Sequence, residues 1–480
     1  MGNPTFIGRK EEQAILHKAF NSNEAEMVAV IGRRRVGKTF LVRSVYEKHL
    51  DFEITGIQNA TMRQQLDNFT TKLNAYAQPI LPFQRPSNWM GAFQMLVTYL
   101  ESIEKPERMV VFLDELPWLA TRKSDFLKWL GWFWNSWASQ KNIVVVICGS
   151  AASWMIANVV RDRGGLHNRI TRRIFLQPFN LAETEQFFQS RGITFDRYQL
   201  IQLYMAFGGV PHYLKEVERG KSAAQIIDEL CFSPNGLLRD EFMMLYPALF
   251  ENAAVHISIV QSLAQTWQGL TRSEIIDKAK LTNGGSTSRA LEELVSSGFV
   301  SMYYSFGKKK KEMRYRLTDE YSLFYLQFIE DIRGEGKGAW QKLSQTQAWK
   351  SWSGYAFENI ALKHVAQIKK ALGIAGVYTE SSAFYAKGDA NQPGVQIDLL
   401  IDRNDHTINL CEMKFYNTEF TPTQAFAREI RAKIAAFKAH TNTKKQVFAT
   451  LLTTFPIHSN ENSLGLIDQA LTMDVLFEEA

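Results

Sequence analysis

Gly32-Arg33-Arg34-Arg35-Val36-Gly37-Lys38-Thr39 is the stretch whose residue types and spacing point most directly to chemistry. Two glycines around a short loop, followed by Lys and Thr, suit a turn whose backbone N–H groups wrap phosphate oxygens. Lys38 would meet the β and γ oxygens and Thr39 would bind Mg²⁺. An apolar run at 27–31 precedes the loop and a helix is expected from Lys38, with Phe40 in its first turn. That strand–loop–helix context is what the pattern needs, so 32–39 and Phe40 are candidate nucleotide contacts. Arg33, Arg34 and Arg35 are expected to face solvent or acidic neighbours rather than nucleic acid. A second element must hold the metal and align water. Met109-Val110-Val111-Phe112-Leu113-Asp114-Glu115 supplies it: an apolar strand ending in two carboxylates, Asp114 for the metal through water and Glu115 for the water that attacks the γ-phosphate. ATP and Mg²⁺ are the ligands implied.

A second constellation lies near the C-terminal end. Residues 395–402 alternate as a strand and carry Asp398; 407–414 form the next strand and end in Glu412-Met413-Lys414. Side chains two apart on a strand share a face, so Glu412 and Lys414 point the same way. An upstream helix contributes Glu358. The order Glu, Asp, Glu-x-Lys resembles the core of PD-(D/E)xK nucleases. In that chemistry Asp398 and Glu412 would bind Mg²⁺, Glu358 would complete or adjust the site, and Lys414 would orient or activate water. The helix that follows, with Arg428, Arg431 and Lys433, would lie along a DNA backbone. A nuclease fold that binds DNA without cutting is the other reading.

The elements that must position these residues follow from hydropathy patterning. Short apolar runs at 27–31, 52–57, 109–113, 143–148 and 173–176 alternate with helical patterns, which predicts a parallel sheet flanked by helices. Strands disappear from Pro178 to about Leu249, with a break at Gly208-Gly209-Val210-Pro211, and a helical lid is expected there. Residues 251–318 read as three helices and two strands (299–306 and 313–317) around a turn holding Lys308, Lys309, Lys310 and Lys311, a winged-helix pattern. Its third helix, 287–297, begins with Ser286, Thr287, Ser288 and Arg289 and would enter the major groove, while the lysines, Arg314 and Arg316 would meet phosphates. The Gly-rich stretch 334–338 reads as a linker. Trp129, Trp132, Phe133 and Trp137 are expected on one helical face, as core or subunit contact. The expected class is α/β, with a nucleotide-binding domain at 1–178, a lid at 179–249, a winged helix at 250–333 and an α/β nuclease-like domain at 345–480.

Composition sets the bounds. A chain of 480 residues exceeds one comfortable core. A net charge of +6 is a mild excess, so local clusters carry the case for a DNA partner. Three distant cysteines, Cys148, Cys231 and Cys411, offer neither a disulfide framework nor a cysteine zinc site, and a reducing, cytoplasmic compartment is expected. The opening residues show no secretory or myristoylation signal, and no apolar run reaches the roughly 20 residues of a membrane span.

Taken together the sequence resembles AAA+ ATPases of the archaeal and bacterial group related to signalling NTPases, often found with a restriction-endonuclease-like domain at the C-terminus. The matching residues are Phe6-Ile7-Gly8-Arg9 with Glu12, the phosphate loop, Asp114-Glu115, Cys148-Gly149-Ser150, the segment 169–179 and Gly208-Gly209-Val210-Pro211. The resemblance implies that Ser150 is a sensor near the γ-phosphate and that Pro211 packs near the base. It also places an arginine finger in the cluster Arg161, Arg163, Arg169, Arg172 and Arg173, with Arg169 first, which a neighbouring copy in a homo-oligomer would receive. His212 stands where a lid arginine would follow Pro211. The function expected is ATP hydrolysis coupled to action on DNA; the alternative is a nucleotide-driven switch that binds DNA or a protein partner without cutting.

Overall fold

A computed structural model describes residues 6–103, 107–161, 166, 168–307, 313–332, 338–386, 388 and 394–479. The chain divides into two compact units, Met1–Pro178 and Phe179–Ala480. In the first, β1 (Glu26–Ile31), β2 (Leu50–Thr55), β3 (Met109–Asp114), β4 (Ile143–Gly149) and β5 (Arg172–Phe175) form a parallel sheet. The strand order is β2-β3-β4-β1-β5. β1 and β4 are buried at every position, as unbroken apolar sequences require of strands covered on both faces. Alternate residues of β1 feed separate cores. Met27, Ala29 and Ile31 pack with Trp89, Phe93 and Phe133, whereas Val28 and Val30 pack with Leu16, Leu41 and Tyr46.

The helix Phe126–Ser136 turns Phe126, Leu130, Phe133 and Trp134 inward, the i, i+4, i+7, i+8 stripe of a core-facing helix. This corrects the expected face. Trp137 caps the helix with φ −139°, so its spacing does not define the stripe. Trp129 and Trp132 remain partly buried at its margin, edge to face at 6.5 Å.

The second unit opens with helices. Gly209 is obligatory in the Gly-Gly-Val-Pro turn: an added Cβ would lie 1.8 Å from the Phe179 carbonyl oxygen, and the Gly209 carbonyl accepts from Phe179 N–H at 2.7 Å. Pro211 then starts the short helix Pro211–Leu214, where its missing N–H costs nothing. Further along, the helices Ala253–Ala264, Arg272–Lys278 and Gly285–Ser296 accompany an antiparallel sheet of β6 (Leu270–Thr271), β8 (Arg314–Leu317) and β7 (Val300–Tyr303), in that spatial order. The strands are shorter than expected and the third helix starts two residues earlier, on Gly285. Lys308 to Lys311 and residues 334–337 of the expected linker lie outside the described residues.

The last sheet runs β13-β12-β11-β10-β9, built from β9 (Thr379–Ala386), β10 (Val395–Arg403), β11 (Thr407–Lys414), β12 (Gln446–Thr453) and β13 (Gln469–Thr472). β9, β10 and β11 are antiparallel neighbours, and β11, β12 and β13 parallel ones. The register of β10 against β9 shifts between Ile397 and Leu400. As a result Ile397 and Leu400, three apart, share the core that holds Phe437, while Leu399 and Ile401 pack in the core that holds Phe357. Asp398 sits at this irregularity, a device that re-aims side chains beside functional sites. Among the described residues no helix is long and apolar enough to cross a membrane.

Buried His364 ties two helices of this unit together. Its Nε2 accepts from Leu181 N–H at 3.2 Å and its Nδ1 stands 2.8 Å from the Ile360 carbonyl, so the ring serves as the neutral Nδ1–H tautomer. Burial pushes its pKa down to about 4 from 6.5. A depressed histidine is charged first in the unfolded chain, so stability is full above pH 6.5 and falls until about pH 4, by about 3 kcal/mol at 1.36 kcal/mol per unit. Urea midpoints should therefore drop over that window in the wild type and drop less in His364→Asn; parallel curves would remove His364 from this role.

Candidate functional site

The phosphate loop joins β1 to the helix Lys38–Tyr46. Gly32 is required because a Cβ there would lie 2.4 Å from the Leu176 carbonyl oxygen, at the end of neighbouring β5. Arg35 and Gly37, on either side of Val36, both take positive φ, 70° and 93°, a backbone of the kind from which anion-binding nests are built. Lys38 is 5% exposed and its Nζ donates to the Arg33 carbonyl at 2.9 Å, folding back across the loop. Val36 is buried, whereas Phe40 is exposed and stacks on Phe6 at 5.6 Å. Arg9 donates to the Gln177 carbonyl at 2.5 Å and lies 3.5 Å from that of Val36, which binds the Phe6 to Arg9 segment onto the loop.

Thr39 Oγ1 donates to Asp114 Oδ2 at 2.8 Å. The strand order brings this about: β4 lies between β1 and β3, so the loop after β1, the carboxylates after β3 and Ser150 after β4 emerge along one edge. Asp114 Oδ1 accepts from the Glu115 N–H at 3.0 Å. Glu115 has φ 47°, a left-handed conformation rare outside glycine, and its Oε2 accepts from Ser150 N–H at 3.1 Å and Oγ at 2.8 Å. Ser150 thus holds the side chain that the sequence assigns to water activation. Hydroxyl and carboxylate side by side are hard oxygen donors of the type Mg²⁺ takes, and the residues fit a nucleotide with its ion.

The arginines divide. Arg33 is buried, which removes solvent but not an acidic neighbour as what it faces, and Arg34 sits over the Trp118 ring at 5.7 Å. Arg172 pairs with Glu26 at 2.6 Å and serves the sheet. Arg161, Arg169 and Arg173 are exposed, and Arg163 lies outside the described residues.

In the second unit Glu358 comes from the helix Gln347–Lys363, Asp398 from β10, and Glu412 and Lys414 from β11. The register pairs Leu399 with Cys411; continued by one, it sets Asp398 across from Glu412. Glu412 Oε1 meets Lys414 Nζ at 2.8 Å and Oε2 meets Lys433 Nζ at 2.8 Å. Burial opposes ionisation of Glu412, but the two ammonium groups outweigh it and hold the carboxyl below its ordinary range. Desolvation, reinforced by the carboxylates of Asp398 and Glu412, pushes Glu358 up to about 8. Asp398 Oδ1 accepts from Gln396 Nε2 at 2.8 Å and stands 3.5 Å from Arg316 Nη2. For a divalent cation the donor types are right and the three carboxylates feel one another. In the described rotamers, however, no group of three His, Cys, Asp or Glu is placed to hold a metal ion.

Several expected DNA contacts are corrected by burial. Arg316 is 3% exposed and faces Asp398, because β8 carries it inward. Thr287 is 1% exposed and donates to the Thr282 carbonyl, while Ser288 receives Arg272. Lys433 turns to Glu412 rather than outward; Arg428 and Arg431 are exposed. The Arg316–Asp398 contact is not readable from the order of residues, since 82 residues separate the two.

Comparison with known proteins bears on the first of these sites. Residues 6–217 match the model of an ATPase domain predominantly from Archaea. This part of the chain belongs to that ATPase family. The matched range contains the phosphate loop and Asp114-Glu115, and the match supports nucleotide binding by this part of the chain. An uncharacterized protein of Methanocaldococcus jannaschii is 20% identical over 432 residues, 89% of this chain and 91% of its own length. An uncharacterized ATP-binding protein of that organism is 45% identical over 42 residues, 9% of this chain and 71% of its own length. The solved Walker-type ATPase of Pyrococcus abyssi matches with a TM-score of 0.50 at 16% identity, covering 67% of this chain and 96% of that one, and shares the fold.

Lys38→Ala removes the charged donor of the loop. Its affinity for labelled ATP should fall by at least ~10-fold, as loss of about 1.5–3 kcal/mol from a hydrogen bond to a charged group requires. Unchanged saturation curves for a folded variant would take Lys38 out of the site.

Proposed function

We propose that this chain is an AAA+ ATPase that acts on DNA through its second unit, with ATP turnover governing engagement and a Mg²⁺-dependent nuclease-like centre on β10 and β11. The observation that supports it best is the Thr39–Asp114 contact beside buried Lys38. When bound, the ion neutralises charge on the γ-phosphate. Lys38, now on the Arg33 carbonyl, would meet the β and γ oxygens, and Thr39 and Asp114 would hold the ion. Glu115 accepts the proton of the attacking water, and Ser150 keeps its carboxylate aimed. Exposed Arg169 is the finger offered to a neighbouring copy in a homo-oligomer. The role of Pro211 rests on the family resemblance alone. A cytoplasmic setting agrees with three buried, unpaired cysteines.

The case for DNA rests on the second unit. Helix, strand, helix, helix, strand, strand is the order of a winged helix, and Ser286 and Arg289 are exposed at the start of its third helix. At the C-terminal centre Glu358, Asp398 and Glu412 would hold Mg²⁺, which polarises the phosphodiester, and Lys414 positions water. A second reading, DNA binding without cutting, is favoured by one observation: both oxygens of Glu412 are taken by lysines.

Two experiments separate these. Glu115→Gln should bind ATP as wild type does and lose turnover by about 100-fold or more, the scale of a missing general base; equal hydrolysis would remove Glu115 from that role. With plasmid or branched DNA and Mg²⁺ or Mn²⁺, wild type should cleave and the Asp398→Ala, Lys414→Ala double variant should not. If both leave DNA intact while ATP turns over and DNA is retained at low salt, the second reading holds.

A further inference from the structure

Beside the carboxylates of the second unit lies a cavity of about 380 Å³, lined by Gln265, Thr266, Trp267, Gln268, Glu358, Gln396 and Asp398. That volume suits a small organic group. None of the lining residues is a cation, so the chemistry disfavours a phosphate inside and favours a neutral group that donates hydrogen bonds and stacks. Trp267 is stacked on buried Tyr355, centroids 5.1 Å apart at 10°, yet is 42% exposed. An indole fixed from behind and left open in front is a stacking platform.

The polar wall is equally fixed. Gln268 Nε2 donates to Gln396 Oε1 at 2.6 Å, and Gln396 Nε2 to Asp398 Oδ1 at 2.8 Å. Tyr303 OH donates to the Gln268 carbonyl. Gly269 takes φ +65° and lies where a Cβ would be 2.4 Å from the Tyr315 carbonyl oxygen, pinning the loop onto β8. The Arg314 guanidinium donates to the Gly269 carbonyl at 2.8 Å. The loop after the helix Ala253–Ala264 thus forms one wall and the β10 carboxylate the other.

We propose that this cavity takes the base of an unpaired nucleotide, stacked on Trp267 and met at its edge by the glutamine amides and carboxylates. The inference deepens the reading of the second unit as DNA-acting: it names an unpaired nucleotide next to the carboxylates as the ligand. Inside a duplex both faces of a base are covered by its stacked neighbours and cannot reach an indole, so single-stranded or locally opened DNA is selected.

The test uses the full chain in EDTA and follows the anisotropy of a short fluorescein-labelled single strand of mixed sequence and of its duplex. Trp267→Leu, which keeps apolar bulk against Tyr355, should weaken single-strand binding by about 10-fold, the scale of one stacked base, with duplex binding and thermal midpoint unchanged. Trp267→Phe should retain most of the affinity. Single-strand affinity that is the same in wild type and Trp267→Leu overturns the proposal. So does a loss shared equally by duplex and single strand, or one that Trp267→Phe shows in full, since a merely structural wall would behave that way. Cleavage is not read here. If wild type never cuts DNA but the Trp267→Leu loss appears, the nuclease reading fails and the nucleotide cavity stands; if it cuts and Trp267→Leu binds normally, the reverse holds.

Discussion

The contact between Thr39 and Asp114 depends on a constraint set far from either residue, the position of β4 between β1 and β3. In a parallel sheet the loops after successive strands leave at one edge, and a central strand with both faces covered cannot shift without opening two cores. Val28 and Val30 press on one helix layer and Met27, Ala29 and Ile31 on the other. The loop, the acidic pair and Ser150 are therefore held in register by the burial of the strands they follow, to which Val36 of the loop adds its own side chain. Chemistry on this edge inherits the rigidity of the sheet.

The second unit solves a different problem, which is charge. Three carboxylates lie within electrostatic reach of one another, and each meets a different balance. Glu412 is held by two lysines, Asp398 leans toward Arg316 and accepts from Gln396, and Glu358 is driven toward its protonated form. Arg316 comes from the small three-stranded sheet, not from the sheet that bears the carboxylates. Two of its nitrogens, Nε and Nη1, meet no hydrogen-bond acceptor. The guanidinium also lies over the Tyr303 ring, 5.3 Å from its centroid. The carboxylate centre is thus composite: the loop 265–268 and Arg316 of β8 are part of its wall.

Much of the first unit was legible in the residues. Apolar runs of five or six rich in Val and Ile are too short for a buried helix and fit strands covered on both faces, and a glycine-bounded loop ending in Lys-Thr admits few conformations. The three helices and the last two strands of residues 251–318 were also readable from hydropathy and turn residues, though these strands proved shorter and the two-residue β6 between the first and second helices was not foreseen. Less legible were the directions of individual cations. Arg314 and Arg316 alternate along one strand, and Lys433 lies on a charged helix, so composition suggested contacts with phosphate. Arg316 and Lys433 instead turn toward carboxylates from other elements.

What the sequence by itself determined is local: the strands of the first sheet with β10 and β11, where the phosphate loop sits, which carboxylates end strands, and that Glu412 and Lys414 share a face. Only the tertiary structure decided that Ser150 grips Glu115, that Arg316 meets Asp398 across 82 residues of chain, and that Trp267 opens onto the same cavity as Glu358. The division has a physical reason. Periodicity and turn chemistry act over a few residues and leave a mark in the order of amino acids, whereas a long side chain on a strand or helix edge chooses its partner by field and available space. Both of those exist only once distant segments have packed.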